Sequence, residues 1–238
     1  MKAFIIYLEP IDHNKTIANQ AMDAAKLHNI DAVLYQGVHG KYDAPTKLMQ
    51  YNLKLTQHKN RNLTDGEIGC LLSHYELWQK CVDLNEPIMI LEPDGIVIRS
   101  LPDNILENFS EVLHLDPVRS KIQPFEIATK YQTLVNDGLS NSVEYFYANP
   151  NGTDVAGPYL YGTYGYCIKP LAASKLIKFI QENGVCPSDV AIGKMVVDVK
   201  STTQTIVKIH DSYTSNDSAI INQSLTSPYS LAFKKEFT

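Results

Sequence analysis

The chain of 238 residues predicts an α/β fold: one domain with a mixed, mostly parallel sheet flanked by helices. Three observations predict it. Short apolar runs alternate with segments of helical periodicity. The first of these fall in the order strand, helix, strand, which is a βαβ unit. And the run Ile88-Met89-Ile90-Leu91 leads straight into two acids, Glu92 and Asp94, at the strand end where such sheets carry their ligands.

Met1 to Leu8 is too short an apolar run for a secretory signal, meets Glu9 directly and lacks a small-residue cleavage site, so it reads as the first buried strand. Ile17 to His28 is a modest helix with Ile17, Ala21, Ala24 and Ala25 inward. Ala32 to Tyr35 is the second strand, followed by the loop Gln36-Gly37-Val38-His39-Gly40. Lys41 to Leu63 is polar, with weak helical character around Lys47 to Leu53.

The helix that follows carries the strongest local signals. Thr64-Asp65-Gly66-Glu67 has the capping-box spacing. Ile68, Leu71, Leu72, Tyr75, Trp78 and Val82 form one apolar stripe, and Pro87 ends the helix by forcing Glu86 out of the α region. The run 88–91 suits a strand covered on both faces. Ile96-Val97-Ile98 extends the sheet, Pro102 to Phe109 forms a short helix, and Glu111 to Leu115 is a further strand.

From Asp116 to Gly157 the pattern is irregular. Its aromatic group Tyr145-Phe146-Tyr147 suits either packing or stacking on a sugar face. In Tyr159 to Ile168 small residues alternate with bulky ones, and glycine there marks a close backbone or ligand approach, which singles out Gly162 and Thr163. Pro170 to Asn183 is a helix with Leu171, Leu176, Ile177 and Ile180 inward, stopped by Gly184. Another helix begins at Cys186-Pro187-Ser188-Asp189. Thr203 to Ile209 is the last strand, leading to His210 and a Ser/Asn-rich tail.

Composition narrows the function. With 44% hydrophobic and 20% charged residues the chain is an ordinary globular protein, and a net charge of -5 argues against a nucleic-acid surface. Arginine occurs only at 61, 99 and 119, so anion neutralisation leans on lysine, backbone N–H groups or a metal. The four cysteines fit a reducing compartment, and no segment reaches membrane-spanning length, so a cytoplasmic protein is expected. Phe233-Lys234-Lys235-Glu236-Phe237 suits either a frayed terminus or peripheral contact with the inner face of a membrane.

Two acids one residue apart at a buried strand end repel each other and need a partner. A divalent cation relieves both problems, since Mg²⁺ and Mn²⁺ take carboxylates from a protein and oxygens from a phosphate. The alternative is that Glu92 and Asp94 face water in a turn. Cys70, His74 and Cys81 share a helix face with zinc-like spacing, but buried packing of the cysteines is the preferred reading. Asp189, in the first turn of its helix, either compensates the helix dipole or serves as a base.

The segment Gly66 to Cys81 (GEIGCLLSHYELWQKC) followed by PIMILEPDGIVI resembles glycosyltransferase family 25, the lipopolysaccharide and lipooligosaccharide galactosyltransferases. The block G-E-I-G-C-x-L-S-H-x-x-x-W is complete from Gly66 to Trp78, and GTYGYCIKPLAASKLI resembles the second block. Strong similarity covers about forty residues and weaker similarity about thirty more. Two departures stand out. Pro93 replaces one acid of the family's L-E-D-D, and Tyr7 to Asp12 lacks the arginine-containing stretch that usually follows the first strand.

The resemblance implies a GT-A-like domain. Residues 1–115 would form the nucleotide-sugar half, and residues 116–238 the acceptor half and tail. It implies an inverting transfer of a hexose, galactose above all, from a UDP-sugar to a saccharide or glycolipid acceptor. Mn²⁺ or Mg²⁺ is expected on Asp94, with Glu92 on the ribose or the metal and His210 a further ligand. Tyr7, Gly162 and Thr163 are assigned to the nucleotide sugar and Asp189 to the general base. His210 as an exposed histidine after a strand is the alternative. A degenerate nucleotide-sugar-binding protein and a nucleotidyltransferase are the rival functions.

Overall fold

A computed structural model describes residues 1–9, 11–58, 61–116, 162–192, 196–202 and 204–210, and the backbone of 139–140, 147–148 and 155–156. The aromatic group at 145–147, residues 159–161 and the C-terminal tail therefore lie outside the residues whose side chains are described.

The first half follows its pattern in β1 (Lys2–Tyr7), β2 (Asp31–Gln36), α3 (Asp65–Leu84) and β5 (Ile88–Leu91), while α1 (Asp12–Leu27) begins earlier than expected, α2 (Ala44–Gln50) lies slightly ahead of the predicted helical stretch, and the short strands β3 (Gln57–His58) and β4 (Arg61–Asn62) were not predicted. There follow β6 (Gly95–Val97), a single 3₁₀ turn (Ile105–Glu107) and β7 (Val112–His114). The second half adds β8 (Leu139–Ser140), β9 (Tyr147–Ala148), β10 (Val155–Ala156), β11 (Gly165–Ile168), α4 (Pro170–Asn183), α5 (Ser188–Ala191), β12 (Val199–Thr202) and β13 (Val207–Ile209).

Seven strands form the central sheet in the order β2-β1-β5-β11-β7-β12-β8. β1 runs parallel to β2 and β5, and β12 parallel to β7, while β11 is antiparallel to both β5 and β7. The sheet is thus mixed and mostly parallel. Its parallel strands end on one edge, and the antiparallel β11 begins there, so that edge collects residues from many parts of the chain.

Strand alternation divides the core between the two faces. Phe4, Ile6, Ile88, Ile90, Val112, Tyr166 and Ile168 pack with α3 and α4. Ala3, Ile5, Met89, Leu91, Leu113 and Cys167 pack with α1 and with Val97 and Val207. The small residues Ala18, Ala21 and Ala25 of α1 are fully buried and let that helix lie close to the sheet.

α3 is the best-specified element. Its capping box is complete: Thr64 Oγ1 accepts from the Glu67 N–H at 3.2 Å, and Glu67 Oε2 accepts from the Thr64 N–H at 2.9 Å. Asn85 closes it in the left-handed conformation, φ 52°. Beyond the predicted stripe the helix also buries Gly69, Ser73, His74, Leu77 and Cys81, so it is covered nearly all round, and Val82 is only partly buried.

Four expectations are corrected. Ile96-Val97 does not extend the main sheet; β6 pairs antiparallel with β13 in a separate ribbon. The last strand is shorter than Thr203–Ile209, with only β13 (Val207–Ile209) forming on that ribbon, and β12 ahead of it joins the main sheet where no strand was expected. The segment 102–109 forms only the 3₁₀ turn, held by Ile105, which is buried. Leu171 is 63% exposed, because α4 turns Ala172, Ala173, Leu176 and Ile180 inward instead.

Candidate active site

The loop after β2 is clamped to the start of α3. Gly37 N–H donates to the Tyr7 carbonyl at 2.7 Å, and Val38 N–H donates to Ser73 Oγ at 2.8 Å. Ser73 in turn donates to the Gly69 carbonyl at 2.7 Å. A Cβ on Gly40 would lie 1.7 Å from the Asp65 carbonyl oxygen, and one on Gly69 would lie 2.7 Å from the Val38 carbonyl oxygen. The glycine of the G-E-I-G block at Gly69 is therefore a backbone contact between loop and helix.

Glu67, the capping residue, also takes two bonds from the Arg61 guanidinium, at 2.5 and 2.7 Å. These bonds, with Thr64, hold its carboxyl below the ordinary range although burial opposes them. Its contacts are those of a residue that fixes the helix start.

Glu92, at the end of β5, is the centre of the site. Three donors reach one of its oxygens, Oε1: the Thr163 hydroxyl, His74 Nε2 at 3.3 Å and the Cys70 thiol at 4.0 Å. Ser188 Oγ lies 3.1 Å from Thr163 Oγ1 and 3.3 Å from Cys70 Sγ, which ties the start of α5 to the same cluster. Behind it, Tyr166 OH is 2.9 Å from His74 Nδ1 and accepts the Trp78 indole N–H at 2.9 Å. Burial pushes the Glu92 carboxyl up, but the hydrogen bonds from His74 and Thr163 outweigh it and hold the carboxyl below its ordinary value.

Asp189 has the opposite environment. Burial, with a further push from the charges of Glu92 and Glu67, raises its carboxyl to about 6. Its Oδ1 accepts the N–H of Val190 at 2.9 Å, which only partly offsets this. The two carboxyls are thus driven apart, Glu92 held below its ordinary value and Asp189 raised to about 6.

A second carboxylate group flanks β11 on its other side. Asp116, after β7, accepts from Tyr164 OH at 2.5 Å and Thr205 Oγ1 at 2.7 Å. Consecutive residues ahead of β11 therefore each hold one acid, Thr163 holding Glu92 and Tyr164 holding Asp116. His114 Nδ1 donates to the Asp116 carbonyl at 2.6 Å, and burial lowers the His114 pKa below its ordinary value.

The predicted residues fall into three groups. Glu92 and Thr163 meet directly, and the Glu92 charge acts on Asp189, helping to raise its carboxyl. Asp94 and His210 are neighbours of another kind: the β6–β13 ribbon ends with the His210 N–H donating to the Asp94 carbonyl at 2.7 Å. Tyr7 stands at the end of β1 with Lys15 5.7 Å from its ring centroid, and Gly162 precedes β11 with φ 82°, in a turn rather than a strand.

Among the described residues, the three side chains whose donor atoms lie within 4.8 Å of one another are Cys70, His74 and Glu92. Burial and the Glu92 charge raise the Cys70 thiol well above its ordinary pKa, and Cys81 donates to the Glu86 and Ile168 carbonyls at 3.3 and 3.6 Å, as a packed core cysteine does. Sequence reasoning missed Cys70, Ser188, Tyr166 and Asp116 as parts of this edge. The available signals were the Ser188–Asp189 adjacency and the Tyr164-Gly165-Tyr166 alternation.

A family profile described as Glycosyltransferase family 25 (LPS biosynthesis protein) matches residues 1–192. The chain is 30% identical over 95 residues to a protein of Aedes aegypti named "Glycosyltransferase 25 family member", covering 37% of this chain and 16% of that protein. It is 28% identical over 140 residues to "Lipooligosaccharide biosynthesis protein lex-1" of Haemophilus influenzae, covering 58% of this chain and 44% of that one. Against human "Procollagen galactosyltransferase 2" it is 26% identical over 163 residues, covering 62% and 23%. The chain thus matches less than half the length of each of these relatives.

Proposed function

The chain belongs to glycosyltransferase family 25, and on that premise we propose that it transfers a hexose, galactose by preference, from a UDP-sugar to a saccharide or glycolipid acceptor, with inversion. Residues 1–115 would hold the nucleotide sugar and residues 116–238 the acceptor, in a GT-A-like arrangement. The observation that carries this reading is the carboxylate of Glu92, held ionised at the end of β5 by donors from α3 and from the entry to β11. The names of the relatives, which include lipooligosaccharide biosynthesis and galactosyltransferase, support the sugar and acceptor classes.

The residue types Asp, Glu and His suit a hard divalent cation of the Mn²⁺ or Mg²⁺ kind, although among the described residues the group whose ligand atoms converge is Cys70, His74 and Glu92 rather than Glu92, Asp94 and His210. Glu92 Oε1 is committed to protein donors, and its other oxygen takes none of those bonds. Asp94 and His210 share a backbone bond at the end of one ribbon, and their side chains are the carboxylate and imidazole that this reading assigns to the ion. We assign the metal to Asp94, with Glu92 and His210 as further ligands, and the nucleotide sugar also to Tyr7, Gly162 and Thr163. Such an ion, when bound, neutralises the negative charge that grows on the departing diphosphate.

The chain's own residues do the rest. Asp189 accepts the proton of the acceptor hydroxyl as its oxygen bonds to the anomeric carbon. The bond from that carbon to the phosphate oxygen breaks, and UDP leaves with the electron pair. A carboxyl poised near 6 suits a base at neutral pH. We place this reaction on the cytoplasmic side, in solution or peripherally on the membrane. No helix among the described residues is long and apolar enough to cross a membrane.

A hydrolysis and transfer screen with UDP-galactose, UDP-glucose and UDP-N-acetylglucosamine in Mn²⁺ tests this. Metal-dependent turnover of one donor is the expected result. UDP binding without turnover of any donor would favour a non-catalytic binding protein, and release of pyrophosphate from a nucleoside triphosphate would favour a nucleotidyltransferase.

A further inference from the structure

The bonds behind Glu92 have a direction. An indole N–H only donates, so the Tyr166 oxygen must accept from Trp78. Tyr166 then has its own proton to place, and His74 Nδ1, 2.9 Å away, is the acceptor. With Nδ1 bare, the ring carries its proton on Nε2, which faces Glu92 Oε1 at 3.3 Å. Thr163 donates to that same oxygen. His74 is 0% exposed whereas the Glu92 side chain is 20% exposed. Oε1 is therefore the oxygen turned to the protein, and Oε2 stands outside these three bonds.

We propose that Trp78, Tyr166 and His74 form a positioning relay that fixes Glu92 with Oε1 turned to the protein and Oε2 presented to the nucleotide sugar and its cation. This rests on the nucleotide-sugar reading above. Each buried donor in the relay has an acceptor, so it holds one tautomer and one carboxylate orientation. The rival use of the same atoms is a metal bound by Cys70, His74 and Glu92. Metal on His74 Nε2 would force the proton onto Nδ1 and leave the Tyr166 proton without its acceptor. The closed chain of bonds favours the relay.

The test uses the full chain labelled with ¹⁵N, and two readouts. Long-range ¹H–¹⁵N spectra of His74 should show a neutral ring protonated at Nε2. An Nδ1-protonated ring, or stoichiometric zinc in the purified protein, would overturn the relay. Kinetics then compare His74→Leu with His74→Gln, whose amide can still donate toward Glu92. His74→Leu should lower kcat about 10–100-fold with the acceptor KM unchanged, and His74→Gln should recover most of it. Equal rates in wild type and His74→Leu would overturn the proposal. If wild type turns over no nucleotide sugar the functional reading fails, yet the His74 tautomer still decides the relay.

Discussion

His74 Nε2 lies 3.3 Å from Glu92 Oε1 and joins the middle of the longest helix to the end of a central strand. That contact places a buried ring from α3 against an acid at the edge where the parallel strands end. It also makes the stability of the core and the geometry of the site partly the same thing, because Tyr166 and Trp78 stand directly behind it.

Tyr166→Phe removes the acceptor of the Trp78 indole and the donor to His74, all three residues being fully buried. Leaving buried polar groups unpaired costs about 1–3 kcal/mol. Urea unfolding of the variant should show a loss of that size. A variant as stable as wild type would mean that these groups find other partners.

Asp189→Asn should lower transfer on the order of 10²–10⁴-fold, the usual contribution of a positioned base. The wild-type rate should rise with pH through about 6, where the Asp189 carboxyl ionises, and the variant should lose that limb. A variant that keeps both the rate and the limb places the base elsewhere.

The same substitution should stabilise the fold at neutral pH. The Asp189 carboxyl is raised in the folded state, so the folded chain binds that proton more tightly than the unfolded chain does. Stability therefore falls as pH rises from the ordinary carboxylate range through about 6. The uncharged amide of the variant escapes this loss. Thermal melts should favour the variant at neutral pH and converge with wild type at about pH 4, near the ordinary aspartate value. A variant less stable than wild type at neutral pH would contradict the burial argument.

Gly40→Ala should destabilise by about 1–3 kcal/mol, the cost of overpacking, since its Cβ would meet backbone of α3 at 1.7 Å. A melting temperature unchanged from wild type would show that the loop after β2 gives way freely.

The elements that local signals specify were legible in the sequence. The capping box at Thr64–Glu67 and the stripe from Ile68 to Trp78 define α3 without help from the rest of the chain. The apolar runs of β1 and β5 need only their own composition. β12 was not legible, because Lys200 and Ser201 break its apolar pattern; Ser201 is buried there by donating to the Asp116 carbonyl at 3.0 Å, a partner far away in sequence. β6 reads as a sheet strand by composition, and only its pairing with β13 removes it from the sheet.

The site divides the same way. Glu92, Thr163 and Asp189 could be singled out from motif and spacing. The relay could not, since Tyr166 and His74 are brought together by the packing of β11 against α3, and each alone reads as an ordinary core residue. The neighbourhood of Asp94 and His210 likewise depends on the ribbon pairing.

Calorimetric titration of UDP into wild type and Asp94→Asn, with and without Mn²⁺, tests the central claim most directly. The account predicts that Mn²⁺ tightens UDP binding to wild type and that Asp94→Asn loses affinity by about 10–100-fold only when Mn²⁺ is present. UDP binding that is indifferent to both the ion and the substitution would contradict it.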